Sequence, residues 1–152
     1  MALRFIWTNG NNKDFRRFYE ITEQYYNRIA GGAENRLQYI PHNLSSAVSD
    51  VLLVYLEDHA VACAGLKHCS AQDAEIKRVW VEPAYRGRQI ATMMMRRIED
   101  RAHMKGYSRV ILQTRAAMAD AVSLYTGLGY HQIDNYPPYD GLKDAVCYAK
   151  EL

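Results

Sequence analysis

Apolar residues recur at helical spacing in two segments of the chain, and each segment has suitable end signals. The first runs from Asn12, a suitable N-terminal cap, to Gly31, a suitable stop. The second runs from about Arg88 to Lys105 and is followed by Gly106. The residues at helical spacing are Phe15, Phe18, Ile21, Tyr25 and Ile29 in the first segment and Ile90, Met94, Ile98 and Ala102 in the second. This pattern predicts two amphipathic helices, each burying one face.

Shorter apolar runs, rich in β-branched and aromatic residues, predict strands. A tight turn at 57–59 separates two of them, and Pro83 ends the next. A short helix at 119–130 closes on Gly127 and Gly129, whereas 33–50 is either one short helix or two helices broken at Pro41. The predicted strands are 3–8, 51–56, 60–68, 74–81, 108–115, 131–134 and 145–152. This order predicts an α/β (α+β) fold, a mixed sheet flanked by helices, in a single domain spanning 1–152.

Composition narrows the class of protein. The 19 basic and 17 acidic side chains give a net charge of +2, which is too balanced for a general nucleic-acid binder. The chain has no apolar run long enough to span a membrane, and 1–14 lack the apolar block of a signal peptide. Cys63, Cys69 and Cys147 show no metal-binding spacing, and neither do the five histidines. We therefore expect a cytoplasmic protein with reduced thiols and no metal.

The segment "VEPAYRGRQIATMMM" joins a predicted strand to the second helix through a tight loop. Arg86 and Arg88 stand where the helix begins, although the positive end of the helix dipole disfavours basic residues there by roughly 0.3–1 kcal/mol each. A bound phosphate would remove this conflict, because free backbone N–H groups and both guanidiniums can bind it. Gly87 would let the backbone approach the anion closely. The alternative is a solvated loop whose arginines point into water.

The residues around this loop resemble the GCN5-related N-acetyltransferase (GNAT) superfamily. Its acyl-CoA motif, Q/R-x-x-G-x-G/A, is similar to "RGRQIA" at 86–91, and its A-x-x-L-Y-x-x-x-G-[FY] motif is matched by "AVSLYTGLGY" at 121–130. The resemblance covers roughly 50–152 and implies a mostly antiparallel central sheet flanked by helices. It also implies acetyl-CoA as co-substrate and allows a homodimer.

The same resemblance assigns the donor site. It implies that the backbone of 88–92 binds the CoA pyrophosphate and that the strand edge at Val79 to Val81 pairs with the pantetheine arm. The implied cofactor-binding residues are Val79, Val81, Arg86, Gly87, Arg88, Gln89, Ile90, Ala91 and Thr92. Two positions depart from the family pattern. Gln89 replaces the first motif glycine, and Met118 replaces an asparagine that often precedes the second motif.

Two residues are candidates for proton transfer, which an attack of an amine on a thioester requires. Glu75 lies at a position where the family often has a glutamate that acts as general base, directly or through water; alternatively it is an edge carboxylate paired with Lys77 or Arg78. Tyr125 in "SLYTGLGY" is the candidate general acid; alternatively it is a core tyrosine with its hydroxyl at the surface. The Val81 backbone N–H is the candidate for polarising the carbonyl.

The acceptor site is expected across the sheet from CoA, among tyrosines. The first two helices and the loop before the last strand are expected to line it, with Tyr26 and Tyr136 as candidate wall residues. Lys77 or Arg78 could bind an acceptor carboxylate; Lys77 shares the strand face of Glu75, whereas Arg78 points away unless a bulge intervenes. The alternative is that the tyrosines pack and the lysine is solvated.

The sequence thus predicts an N-acetyltransferase that moves an acetyl group from acetyl-CoA to a primary amine of a small molecule by direct attack in a ternary complex. A non-catalytic acyl-CoA sensor with the same fold is the main alternative. A nucleic-acid-binding role for the basic face around Arg96 and Arg97 is disfavoured by the balanced charge.

Overall fold

The computed structural model describes residues 2–36 and 47–152, which form one seven-stranded sheet in the order β1-β2-β3-β4-β5-β7-β6. The pair β4–β5 is parallel and the other pairs are antiparallel, so the predicted mixed, mostly antiparallel sheet is confirmed. The strands are β1 Leu3–Thr8, β2 Asp50–Leu56, β3 His59–His68, β4 Asp73–Val81, β5 Arg109–Arg115, β6 His131–Ile133 and β7 Ala145–Glu151. The helices are α1 Lys13–Ala30, α2 Ile90–Met104 and α3 Ala119–Gly127, with 3-10 turns at Ala33–Arg36 and Pro83–Tyr85.

The predicted helix ends of α1 are confirmed. The Asn12 side chain accepts hydrogen bonds from the backbone N–H groups of Asp14 and Phe15, at 2.8 and 3.2 Å, which satisfies two of the helix's first donors. Gly31 takes the left-handed conformation at φ 82°, where a side chain would be strained. Asn12 and Gly31 therefore fix the length of the helix that covers one face of the sheet.

The turn between β2 and β3 is one residue shorter than predicted. His59 pairs with Leu56 across the hairpin, so only Glu57 and Asp58 form the loop. Glu57 has a φ of 55°, consistent with the tight two-residue turns that match strand twist. The second predicted helical region begins with the 3-10 turn Ala33–Arg36, while Pro41 lies outside the described residues.

Apolar cores lie on both faces of the sheet. The predicted apolar face of α2 is buried against β3, β4 and β5, with Met94, Ile98 and Ala102 fully inaccessible. On the opposite face, Phe15 and Phe18 of α1 pack over the sheet in a second cluster. Burying each such side chain contributes about 1.5–3 kcal/mol. The sheet is thus held between α2 and α1, which leaves the ends of its central strands to form a site.

The central strands β4 and β5 separate after a short parallel pairing, which joins Asp73–Glu75 to Arg109–Ile111. Beyond it β4 is distorted by a bulge opposite Cys63–Gly65, where Arg78 takes the left-handed conformation at φ 56°. The bulge redirects the end of β4, and an opening forms between the two strands.

No helix within 2–36 and 47–152 is long and apolar enough to cross a membrane. Cys63 and Cys147 are buried and Cys69 is exposed, and all three are free thiols. Burial raises the pKa of Cys63 to about 12, which keeps this thiol protonated and unreactive.

Candidate active site

The opening between β4 and β5 leads into a cleft of about 500 Å³, a volume typical of small-molecule sites. Its walls are the end of β4, the loop and first turn of α2, the start of α3 and one side of α1. The candidate cofactor-binding residues that line it are Val79, Val81, Arg86, Gly87, Gln89, Ile90, Ala91 and Thr92. Arg88 is not among the lining residues, since its guanidinium lies over the Tyr85 ring at 5.4 Å from the centroid.

The N-terminal end of α2 and the loop before it, residues 87–92, form the helix mouth, in which two residues take the left-handed conformation. Gly87 has φ 79° and Gln89, the N-terminal cap, has φ 63°. The cap makes no side-chain hydrogen bond to the helix, so the donors of the first turn, at 90–92, are not capped by it. An uncapped helix N-terminus that faces a cleft is a favourable site for an anion.

Replacing Gln89 with glycine is expected to stabilise the fold by about 0.5–1 kcal/mol, because glycine adopts the left-handed conformation without the Cβ clash. Urea unfolding of the Gln89→Gly variant measures the change. Gly87→Ala is the matched control and should cost about 1–2 kcal/mol for the same reason. An added Cβ at Gly87 meets no atom within 4 Å, so a loss there reports backbone strain alone.

Arg86 and Trp80 lie against each other in the wall of the cleft. Arg86 Nε donates to the Val81 carbonyl at 2.9 Å, and its guanidinium lies 4.7 Å from the Trp80 ring centroid. The Trp80 Nε1 donor is buried and has no hydrogen-bond partner in the described part of the chain.

A second cavity, of about 100 Å³, adjoins the cleft. Five residues line both spaces: Tyr26, Val79, Met118, Ala121 and Tyr125. The remaining wall of the smaller cavity is strongly polar and includes Arg36, Lys77, Arg78, Gln113, Thr114 and Arg115. A molecule in the cleft and a second molecule in the smaller cavity would therefore meet beside Tyr125.

Tyr125 is buried, with an exposed fraction of 7%. Burial raises the pKa of its hydroxyl well above the usual value of 10, and the nearby Tyr26 hydroxyl adds to this effect. The phenol is therefore protonated across the physiological pH range and can act only as a proton donor there.

Glu75 lies beside the smaller cavity but is not among the residues that line it. Its carboxylate is 6% exposed, accepts a hydrogen bond from the Tyr136 hydroxyl at 2.8 Å, and lies 3.8 Å from Lys77 Nζ. Lys77 also donates to the Tyr139 hydroxyl at 2.7 Å. Burial lowers the pKa of Lys77 to about 8, against the opposing effect of Glu75.

Three predicted site residues are thus brought together, although only one of them contacts the cavity. Lys77 lines it, whereas Glu75 and Tyr136 form a hydrogen-bonded pair behind the wall. Tyr26 lines both spaces, as expected of a residue between the donor and acceptor sites.

Sequence reasoning did not find the cluster of ion pairs that joins α1 and its following turn to β4. Glu23 of α1 accepts hydrogen bonds from Arg36 at 2.9 and 3.1 Å and from Arg78, whose other nitrogen donates to Thr22 Oγ1 at 2.7 Å. The positions are 13 and 55 residues apart along the chain, and no local pattern connects them.

Metal chemistry has no candidate site in the described residues, which contain no group of three or more His, Cys, Asp or Glu side chains that could hold an ion.

The chain is similar in sequence to known acetyltransferases. It is 37% identical over 65 residues to an "IAA acetyltransferase" of Azospirillum brasilense, a match that covers 43% of this chain and 42% of the relative. It is 27% identical over 81 residues to the "[Ribosomal protein bS18]-alanine N-acetyltransferase" of Escherichia coli K12, covering 51% of this chain and 55% of the relative. The chain therefore spans about half the length of these curated relatives, or less.

The fold is also that of solved acetyltransferases. The PaiA N-acetyltransferase of Thermoplasma acidophilum, crystallised with coenzyme A, superposes with a TM-score of 0.73 over the whole of both chains at 15% identity. The model of the acetyltransferase (GNAT) family matches residues 12–130, well over half of the sequence. The chain, whose strands β4 and β5 separate beside the uncapped N-terminus of α2, therefore belongs to the GNAT acetyltransferase family.

Proposed function

We propose that the protein is an N-acetyltransferase that transfers the acetyl group of acetyl-CoA to a primary amine of a small molecule within a ternary complex. One observation carries the proposal: two cavities, one at the uncapped N-terminus of α2 and one polar, meet beside a buried tyrosine. Names of relatives and the coenzyme A bound to a neighbour of the same fold support an acyl-CoA donor. The single domain over 1–152, the cytoplasmic location and the homodimer stay predictions from the sequence.

The donor would lie in the larger cleft. The backbone N–H groups at 90–92 would bind the pyrophosphate with help from the dipole of α2. The pantetheine arm would follow the edge of β4 from Val79 to Val81. Arg86 Nε donates to the Val81 carbonyl, and because a carbonyl oxygen accepts two hydrogen bonds, a pantetheine amide could pair with it beside the arginine. The terminal N–H groups of Arg86 would remain available to a phosphate.

Glu75 would accept the proton of the acceptor ammonium through one intervening water, because its carboxylate lies behind the cavity wall. Tyr136 holds one carboxylate oxygen, which leaves the other turned towards Lys77. The free amine then attacks the thioester carbonyl beside Val79 and Tyr125, and a backbone N–H of the strand segment 79–81 would stabilise the carbonyl oxygen. The C–S bond then breaks and Tyr125 would give its proton to the departing thiolate. The nitrogen, which became cationic on attack, would return a proton to the Tyr125 oxygen, so that the amide, the free thiol and the neutral phenol remain.

Replacing Tyr125 with phenylalanine is expected to lower kcat roughly 10–30-fold and to leave the KM for acetyl-CoA nearly unchanged. The loss is smaller than for most general acids, which contribute about 10²–10⁴, because a thiolate is already a good leaving group. Initial rates of thiol release measure it. Since burial raises the pKa of Tyr125, the wild-type kcat should not decline between pH 8 and about 10. A decline that is also present in the Phe variant would show that Tyr125 is not its cause.

The test of the function itself is release of CoA thiol from acetyl-CoA across a panel of small amines. Amine-dependent release supports the proposal, and product mass spectrometry locates the acetyl group on nitrogen. Tight binding of acetyl-CoA with no release on any amine would overturn it.

That outcome would favour the second candidate, a non-catalytic acyl-CoA sensor. The observations behind it are the strained Gln89 and the first residue before α3, Met118, which makes no side-chain capping hydrogen bond. Gln89 adds backbone strain at the donor site, and Met118 offers no amide in place of the asparagine that the family often has. A sensor would show a large thermal shift with acetyl-CoA and no turnover.

A further inference from the structure

We propose that the smaller cavity binds a carboxylate of the acceptor, so that the substrate is an amine which also carries a carboxylate, as amino acids do. The inference rests on the proposed function and specifies its acceptor. Three arginines, Arg36, Arg78 and Arg115, line a space of about 100 Å³, and none of its described lining residues is Asp or Glu. A guanidinium is charged at every physiological pH and matches a carboxylate with two parallel hydrogen bonds.

The positive charge on this wall is only partly balanced. Arg36 and Arg78 share a single carboxylate, that of Glu23. Burial tends to raise the pKa of Glu23, but hydrogen bonds from the two arginines outweigh it and the pKa lies below its usual range. This carboxylate is therefore fully ionised, and it still compensates only one of its two partners.

Arg115 adds a third positive charge to this wall. Its nearest described carboxylate is Asp144, at 3.9 Å, which is 77% exposed and screened by solvent. The segment 37–46, which follows Arg36, contains no Asp or Glu. Lys77 and Glu75 form a separate pair of opposite charge. An excess of positive charge therefore remains beside the cavity, where a ligand anion would be stabilised.

The arginines are also held in place before any ligand arrives. Arg78 is 8% exposed, bonded to Thr22, and stacked 4.2 Å from the Tyr19 ring centroid. Arg36 is 2% exposed and donates to Asn27 Oδ1 at 2.7 Å. Such fixed donors lose little freedom on binding, which favours affinity and selectivity.

The position of the cavity fixes the orientation of the acceptor. It meets the donor cleft at Val79 and Tyr125, so a carboxylate at the arginines places the amine of the same molecule towards the thioester. The small volume admits a carboxylate with a few carbon atoms. A polyamine would instead bring positive charge to a positive wall, which is unfavourable.

Thiol release with the twenty amino acids, each compared with its carboxamide, tests the inference. For the best amino acid we expect kcat/KM to exceed that of the carboxamide by about 100-fold, mainly through KM, because a site built for an anion is left unpaired by a neutral group. A carboxylate without an amine, such as 3-phenylpropionate, should compete with the acceptor, and its amide should not. Release that is equal for acid and amide, or confined to amines without a carboxylate, would overturn the inference and leave the acetyltransferase function standing. Absence of release with every amine would instead overturn the function.

A pair of variants links the preference to the wall. Arg115→Gln is expected to raise the KM of the amino acid about tenfold, as expected for loss of one charged hydrogen-bonding partner, and to leave the carboxamide unaffected. Arg96→Gln, at an exposed position of α2, is the matched control and should change neither. Equal effects of Arg115→Gln on acid and amide would show that this arginine does not bind the carboxylate.

Discussion

An Ala91→Glu variant is expected to bind acetyl-CoA at least about 100-fold more weakly than the wild type, because like charges brought together in a binding site cost several kcal/mol. Ala91 is the second residue of α2 and lines the larger cleft. A carboxylate there would stand where the account places the pyrophosphate. The same carboxylate interacts favourably with the dipole of α2 and should stabilise the free protein by about 0.3–1 kcal/mol. Calorimetric titration measures the affinity, and urea unfolding measures the stability.

The opposite signs of these two effects make the experiment specific. Ala91→Gln has nearly the same size and no charge, so it measures the steric cost alone and should weaken binding much less than glutamate does. If glutamate and glutamine weakened acetyl-CoA binding equally, the loss would come from bulk, and the anion site at this helix mouth would be contradicted.

A Glu75→Gln variant is expected to lower kcat about 10²–10⁴-fold for an ordinary alkylamine, which is the usual contribution of a general base. Glutamine keeps the shape of the side chain and can still accept the hydrogen bond from Tyr136, but it cannot take a proton. The KM for acetyl-CoA should hardly change, since Glu75 does not line the larger cleft. Thiol-release kinetics give both constants, and thermal unfolding checks that the buried substitution has not unfolded the protein.

The acceptor itself supplies the control for Glu75. A weakly basic amine with a pKa near 5 is already unprotonated at pH 7 and needs no base, so its loss in Glu75→Gln should be tenfold or less. Tyr136→Phe removes only the hydrogen bond to the carboxylate and should cost less than Glu75→Gln with either amine. An equal loss for strongly and weakly basic amines would show that Glu75 supports the structure of the site and does not move the proton.

The elements that the sequence predicted well are those whose causes are local. The α2 stripe follows from helical periodicity alone, and Asn12 and Gly31 end α1 by contacts within a few residues. The loop before α2 could also be predicted, because Gly87 indicates a tight loop and the six residues 86–91 resemble a known motif. In the structure Gln89 adopts the positive φ that this motif position favours for glycine.

What the sequence could not predict depends on distant pairing. The bulge that turns Arg78 towards α1 arises from the register between β3 and β4, and a slip of one residue changes the face of every side chain. The contact of Tyr136 with Glu75 joins residues 61 positions apart. The sequence predicted Glu75 and Tyr136 as site residues, but it could not indicate that Arg36 and Arg115 line the smaller cavity together with Arg78.

The conflict of Arg86 and Arg88 with the helix dipole is resolved only in part by the structure without ligand. Arg86 is held by the Val81 carbonyl and the Trp80 ring, and Arg88 lies over Tyr85. Aromatic faces and a carbonyl oxygen thus hold both guanidiniums beside the helix mouth. Their positions are consistent with a role that begins when an anion enters the cleft.

A crystal structure of the protein with acetyl-CoA tests the central claim most directly. The account predicts pyrophosphate oxygens about 3 Å from the backbone nitrogens at 90–92, which is hydrogen-bonding distance, with the thioester between Val79 and Tyr125. Acetyl-CoA bound elsewhere on the protein, with the mouth of α2 unoccupied, would contradict it.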